Sequence, residues 1–108
     1  MKYVWTRPVT DECSMIFDIA MSELGMTSQM IVSDIKKCDS EIMRMDSLIT
    51  GCKTTIQYGV NETKPHSAYS INTEIDINSA PAPDYLICKI NDYLSDFWKD
   101  IIESGASE

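Results

Sequence analysis

The sequence predicts an α+β domain: three helices packed on a small antiparallel β-sheet, in the order β-α-α-β-β-α. Two observations of period and one of punctuation predict it. Apolar residues recur at three- and four-residue steps in three long stretches, and they alternate one-for-one in two shorter ones. Gly25, Gly51, the Pro81/Pro83 segment and Gly105 fall at the joins between them. At 108 residues and 44% hydrophobic, the chain is sized for one domain over residues 1–108, with a core that needs no metal or disulfide.

Taken in order, Tyr3 to Thr6 is rich in β-formers and Arg7-Pro8 stops it, which suits a short edge strand. Thr10 then caps a first helix, with Asp11 and Glu12 against its positive end. Cys13, Ile16, Phe17, Ala20 and Leu24 form its apolar side, and Gly25 closes it. A second helix restarts at Ser28. Its apolar residues Ile31, Ile35, Cys38, Ile42, Met45, Ile49 and Cys52 follow an unbroken 4-3 pattern, with Met43 and Leu48 widening the face and Gly51 at its end. Such a stripe serves either as a core seam or as the seam of a homodimer.

The period then changes. Ile56, Tyr58 and Val60 alternate with Thr55, Gln57 and Gly59; after a loop around Pro65 and His66, Tyr69, Ile71, Thr73, Ile75 and Ile77 alternate with Ser70, Asn72, Glu74, Asp76 and Asn78. The two runs form a hairpin with one face on the core and one in water. Asp84 opens the last helix, which carries Leu86, Ile90, Tyr93, Leu94, Phe97, Trp98 and Ile101 on one side and ends at Gly105.

Nine basic and seventeen acidic side chains leave a net charge of -8. That balance argues against direct nucleic-acid binding, which requires clustered cations to displace phosphate counterions, and against anionic membranes. The first residues contain no apolar signal core, and the longest apolar runs are three or four residues, so a cytoplasmic protein with no membrane partner is expected. Cys13, Cys38, Cys52 and Cys88 form no C-x-x-C pair, and His66 is the single histidine. No metal and no cofactor are expected, and the four thiols are read as reduced core residues among apolar helical positions. The seven methionines fill the core, with Met26 and Met30 at the interhelical turn the best placed for exposure.

Templates for catalysis are missing: there is no glycine-rich phosphate loop, nucleophile elbow or H-E-x-x-H, and His66 sits in a predicted loop. The protein is therefore read as a non-enzyme. Residues 20–37 have the outline of a helix-turn-helix around Gly25, but Asp34 falls on a core position of that template and only Lys36 and Lys37 supply cations. A DNA-binding regulator is the alternative reading.

The charge is uneven. Residues 1–54 carry eight acids and six bases, whereas residues 55–108 carry nine acids and three bases. On the last helix Asp92, Asp96, Asp100 and Glu103 follow at four- and three-residue steps opposite the aromatic side, and Glu74 and Asp76 add charge to the outer face of the hairpin. These six residues are the candidate partner-binding set, with Tyr58 or Tyr69 as an aromatic anchor. The expected partner is a basic protein surface, for example on a nucleic-acid-binding protein or complex. The composition is that of small acidic inhibitors, phage anti-defence proteins among them, and of acidic secretion chaperones.

Overall fold

The computed structural model describes residues 1–24, 29–59, 63 and 68–102, and within these the side chains outside 19–24, 29–32 and 58. The elements are β1 (Lys2–Pro8), α1 (Asp11–Leu24), α2 (Gln29–Met43), β2 (Ile49–Gly59), β3 (Ala68–Ile77), α3 (Asp84–Phe97) and α4 (Lys99–Ile102). The architecture is α+β. The three strands form one antiparallel sheet in the order β1-β3-β2.

Strand β3 takes the centre because it is the strand whose alternation is complete. Tyr69, Ile71, Thr73, Ile75 and Ile77 are all buried on its inner face. On its outer face, Asp76 is exposed and Glu74 half-buried. Trp5 of β1 and Thr54 of β2 lie across from Thr73 in the register and are buried with it. Onto this inner face pack Cys38 and Ile42 of α2, and Leu86, Ile90 and Leu94 of α3, all five fully buried. Phe17 of α1 meets Tyr69 edge-on at 5.3 Å, and the Tyr69 hydroxyl donates to Asp18 Oδ1 at 2.8 Å.

The first helix begins as its sequence requires. The Cys13 N–H donates to Thr10 Oγ1 at 3.3 Å, and Ser14 N–H to the Thr10 carbonyl at 2.9 Å. Val9 N–H to Tyr69 O and Thr10 N–H to Ile101 O tie this corner to β3 and to the last helical turn.

The second helix is shorter than its 4-3 pattern predicts. It ends at Met43, and Ile49 and Cys52 belong to β2. Met45 N–H bonds back to the Ile42 carbonyl, a tightened final turn, and Asp46 then organises the reversal by accepting the Leu48 N–H on its side chain and the Ile49 N–H on its carbonyl. The stretch from Ile49 to Ile56, five of its eight residues β-branched, pairs with β3 as a strand rather than prolonging a helix. The expected seam is thus divided between three kinds of structure. Its described helical residues Cys38 and Ile42 are spent on the core of the same chain, Ile35 packs half-buried against it, and Met43, expected to widen the apolar face, is exposed.

The last helix is interrupted at Trp98, whose backbone leaves the helical region (φ -99°, ψ 12°) before α4 resumes. Its buried ring explains the break: Trp98 lies against Phe97, centroids 4.8 Å apart, and turns into the core.

One polar cluster fastens α2 to the sheet. Asp39 Oδ1 accepts from Thr54 Oγ1 at 2.7 Å and from the Cys52 thiol at 3.3 Å, and its Oδ2 accepts the Thr54 N–H at 3.3 Å. Thr54 and Thr73 share a further hydroxyl contact of 2.9 Å.

Candidate functional site

Helix α3 is sharply two-sided. Leu86, Ile90 and Leu94 face the core, and the half-buried rings of Tyr93 and Phe97 stack beside them at 5.6 Å. Tyr85, Lys89, Asp92, Asp96 and Lys99 are exposed, at steps of 4-3-4-3, and so form one outward row running from α3 into α4. At about 1.5 Å of rise per residue, Tyr85 and Asp96 stand about 16 Å apart. Asp100 is exposed on α4, and Glu103 lies outside the described residues. Of the four acidic residues expected on this face, Asp92 and Asp96 stand in the row, and Asp100 is exposed just past it, beyond the break at Trp98. Two lysines, Lys89 and Lys99, stand in the same row. Asp92, Ser95, Asp96 and Lys99 line a shallow surface depression.

The aromatic residue on this surface is neither of the two tyrosines expected as anchors. Tyr69 is 4% exposed and belongs to the core, which removes it from that role; the side chain of Tyr58 lies outside the described residues. Tyr85, by contrast, is 61% exposed. Its hydroxyl donates to Asp46 Oδ2 at 2.9 Å, which fixes the ring over the α2–β2 turn. The Leu48 N–H and then this phenol hold the Asp46 carboxyl below the usual range, and the carboxylate in turn pushes the Tyr85 hydroxyl up. The signal for Tyr85 was present in its spacing, seven residues before Asp92.

Glu74 and Asp76 do lie outward on the sheet, but with cations in register. Lys2 pairs with Glu74 at 3.0 Å and sits opposite Asp76, and Lys53 sits opposite Glu74. The Lys2 ammonium donates to Glu74 and holds its carboxyl below the usual range, while the lysine is pushed up by the same bond. Lys2 and Lys53 thus offset Glu74 and Asp76 on the sheet, and Lys89 and Lys99 offset part of the charge on the helices, where Asp92, Asp96 and Asp100 leave an excess of one carboxylate among the described residues.

The cysteines divide by environment. Burial pushes the Cys38 thiol up to about 11, and burial followed by the neighbouring Asp39 carboxylate pushes Cys52 up further. Thiols raised in this way are poor nucleophiles, the reverse of an activated catalytic cysteine. Cys88, expected among core thiols, is exposed on α3, because its position there is one turn from Tyr85 on the outer side. Cys13 and Cys52 are half-buried.

Asp34, Lys36 and Lys37 are exposed on α2, while residues 25–28, the turn of the helix-turn-helix outline, lie outside the described residues, as do Met26, His66, Val60 and Gly105. Met30 is placed in α2 without a described side chain. Among the described residues no group of three or more His, Cys, Asp or Glu is positioned to hold a metal ion, and no helix is long and apolar enough to cross a membrane. No family model matches this chain, nor does any curated protein or solved structure.

Proposed function

We propose that the chain is a non-enzymatic, cytoplasmic interaction protein that binds a basic surface of a partner through the outer side of α3 and α4, and so modulates or blocks that partner. The observation that carries this reading is the exposed Tyr85 at the head of the Asp92, Asp96 and Asp100 surface, on a helix whose other side is committed to the core. An aromatic face held by its own hydroxyl offers a seat for a guanidinium or ammonium, and aspartates about a helical turn apart accept charge-assisted hydrogen bonds from the next cations along a basic segment. The net charge of -8 favours encounter with such a surface over distances of about a Debye length. A nucleic-acid-binding protein or complex presents this chemistry, and a small inhibitor of the anti-defence type is the form of action it suits best.

The test is capture from lysate across a salt series, with bound proteins identified by mass spectrometry. The chain is expected to retain a basic partner at low salt and release it as salt rises. Asp92→Asn, Asp96→Asn and Asp100→Asn combined weaken capture about tenfold or more, and Tyr85→Ala does so with little change in thermal stability. Equal capture by parent and variants at every salt concentration overturns the proposal.

A further inference from the structure

The two edges of the sheet are protected unequally. β1 carries Lys2, Arg7 and Pro8 in seven residues, the charges and proline by which proteins discourage strand addition. β2 is eleven residues long, has no proline, and carries Lys53 as its single charge. Among the described residues β2 pairs with β3 alone.

Which backbone groups it leaves open follows from one hydrogen bond. Thr54 gives its N–H to Asp39 Oδ2 and not to β3. In an antiparallel strand, residues on one face share a hydrogen-bonding direction, so Cys52 and Ile56 also turn their N–H and C=O groups away from β3. The Asp39 carboxylate therefore occupies the place where the carbonyl of an added strand would accept the Thr54 N–H. Its second oxygen is held there by Thr54 Oγ1 and the Cys52 thiol.

We propose that the open edge of β2 is a latent pairing surface for a second copy of this chain, antiparallel and centred on Thr55, which the Asp39 carboxylate holds closed. The bulge between Ile49 and Gly51 and the strand end at Gly59 leave Gly51–Gly59 as the regular stretch, whose midpoint is Thr55. A two-fold axis there aligns that stretch with itself from end to end. Thr55 then faces its own copy and Lys53 faces Gln57 of the second copy on the outer side, while Thr54 faces Ile56 on the inner side. No like charges oppose each other. The aspartates of α3 and α4 are on other elements, so the net charge is not concentrated at this edge. The proposal is independent of the one above: it uses a different surface and a different partner.

The experiment uses the full chain with Cys88→Ser to remove the exposed thiol. Light scattering after gel filtration, over a concentration series, is expected to show a monomer for this parent, and at least tenfold stronger dimerisation for Asp39→Ala. Adding Thr55→Glu sets two carboxylates face to face across the axis and restores the monomer. An Asp39→Ala protein with parental circular dichroism that stays monomeric, or whose dimer ignores Thr55→Glu, overturns the proposal. Should Asp39→Ala fail to fold, Thr55→Cys and Lys53→Cys are compared under diamide in an Asp39→Ser background, which takes the carboxylate off the edge and keeps a hydroxyl beside Thr54. Disulfide linkage between two Thr55→Cys chains through the introduced thiols, in excess of that between two Lys53→Cys chains and read by peptide mass, supports the register, since only position 55 faces itself. Equal or absent linkage overturns it.

Discussion

Replacing Ile90 with alanine is expected to lower the free energy of unfolding by about 2–5 kcal/mol, the range for truncating a large aliphatic side chain in a filled core. Ile90 is wholly buried at the middle of α3, between Leu86 and Leu94 on the same side, and no solvent can enter to fill the space. Urea unfolding reads the effect as a fall in midpoint at constant slope. The companion variant Tyr85→Ala, on the opposite side of the same helix, changes stability by about 0.5 kcal/mol or less, as an exposed site does. The contrast between the two fixes the rotation of α3 about its axis. If Ile90→Ala cost no more than Tyr85→Ala, the helix would be turned away from the sheet, and Asp92 and Asp96 would no longer form an outward row.

Raising the pH from 8 to 11 is expected to destabilise the fold steeply. Cys38 is pushed up to about 11 and Cys52 higher, chiefly by burial, and Tyr93 is pushed up to about 12, again by burial first. All three are neutral in the native state. In the unfolded chain the thiols lose their protons near 8.5 to 9, so above that value the unfolded state binds fewer protons than the native one and gains relative stability. The contribution of the buried thiols is complete below about pH 8.5 and is lost as pH climbs through 11. Melting temperatures measured at intervals between pH 8 and 11 check this. Cys38→Val, which keeps most of the volume and removes the titrating group, flattens the decline. A melting temperature constant to pH 11 would place Cys38 and Cys52 in water rather than between α2 and the sheet.

The legible parts of the molecule are those where a local period and a long-range partner agree. Along β3 the alternation from Tyr69 to Ile77 is read directly from the chain because both neighbouring strands need the same face turned inward. Along α3 the spacing of Leu86, Ile90 and Leu94 gives the helix, and by subtraction gives the outward position of Asp92 and Asp96. The stretch from Met43 to Cys52 misleads for a physical reason. A 4-3 spacing of Ile42, Met45, Ile49 and Cys52 is what a helix would show, yet it arises here from a helix end, a turn and a strand that each place an apolar residue toward one core. The turn residues Asp46 and Ser47 and the β-branched Ile49 and Thr50 were the contrary signal.

The candidate surface divides in the same way. That Asp92 and Asp96 would be outward was determined by helical geometry, whereas Asp100 comes to the surface on α4, past the break at Trp98. That Tyr85 shares their face also follows from spacing, but its anchoring to Asp46 requires the α2–β2 turn to be brought beside α3. Cancellation of Glu74 and Asp76 by Lys2 and Lys53 was beyond the sequence, because it depends on which residues of three separate strands come into register.

By itself, then, the sequence determined an acidic α+β chain with one alternating strand and one two-sided helix, since charge, hydropathy and period are local properties of a chain. Tertiary structure decided where α2 gives way to β2, which carboxylates meet a lysine from another strand, and how Asp39 comes to lie over the edge of β2. Each of these turns on groups far apart in sequence meeting within a few ångströms, where one hydrogen bond or one ion pair outweighs a local preference worth a fraction of a kilocalorie.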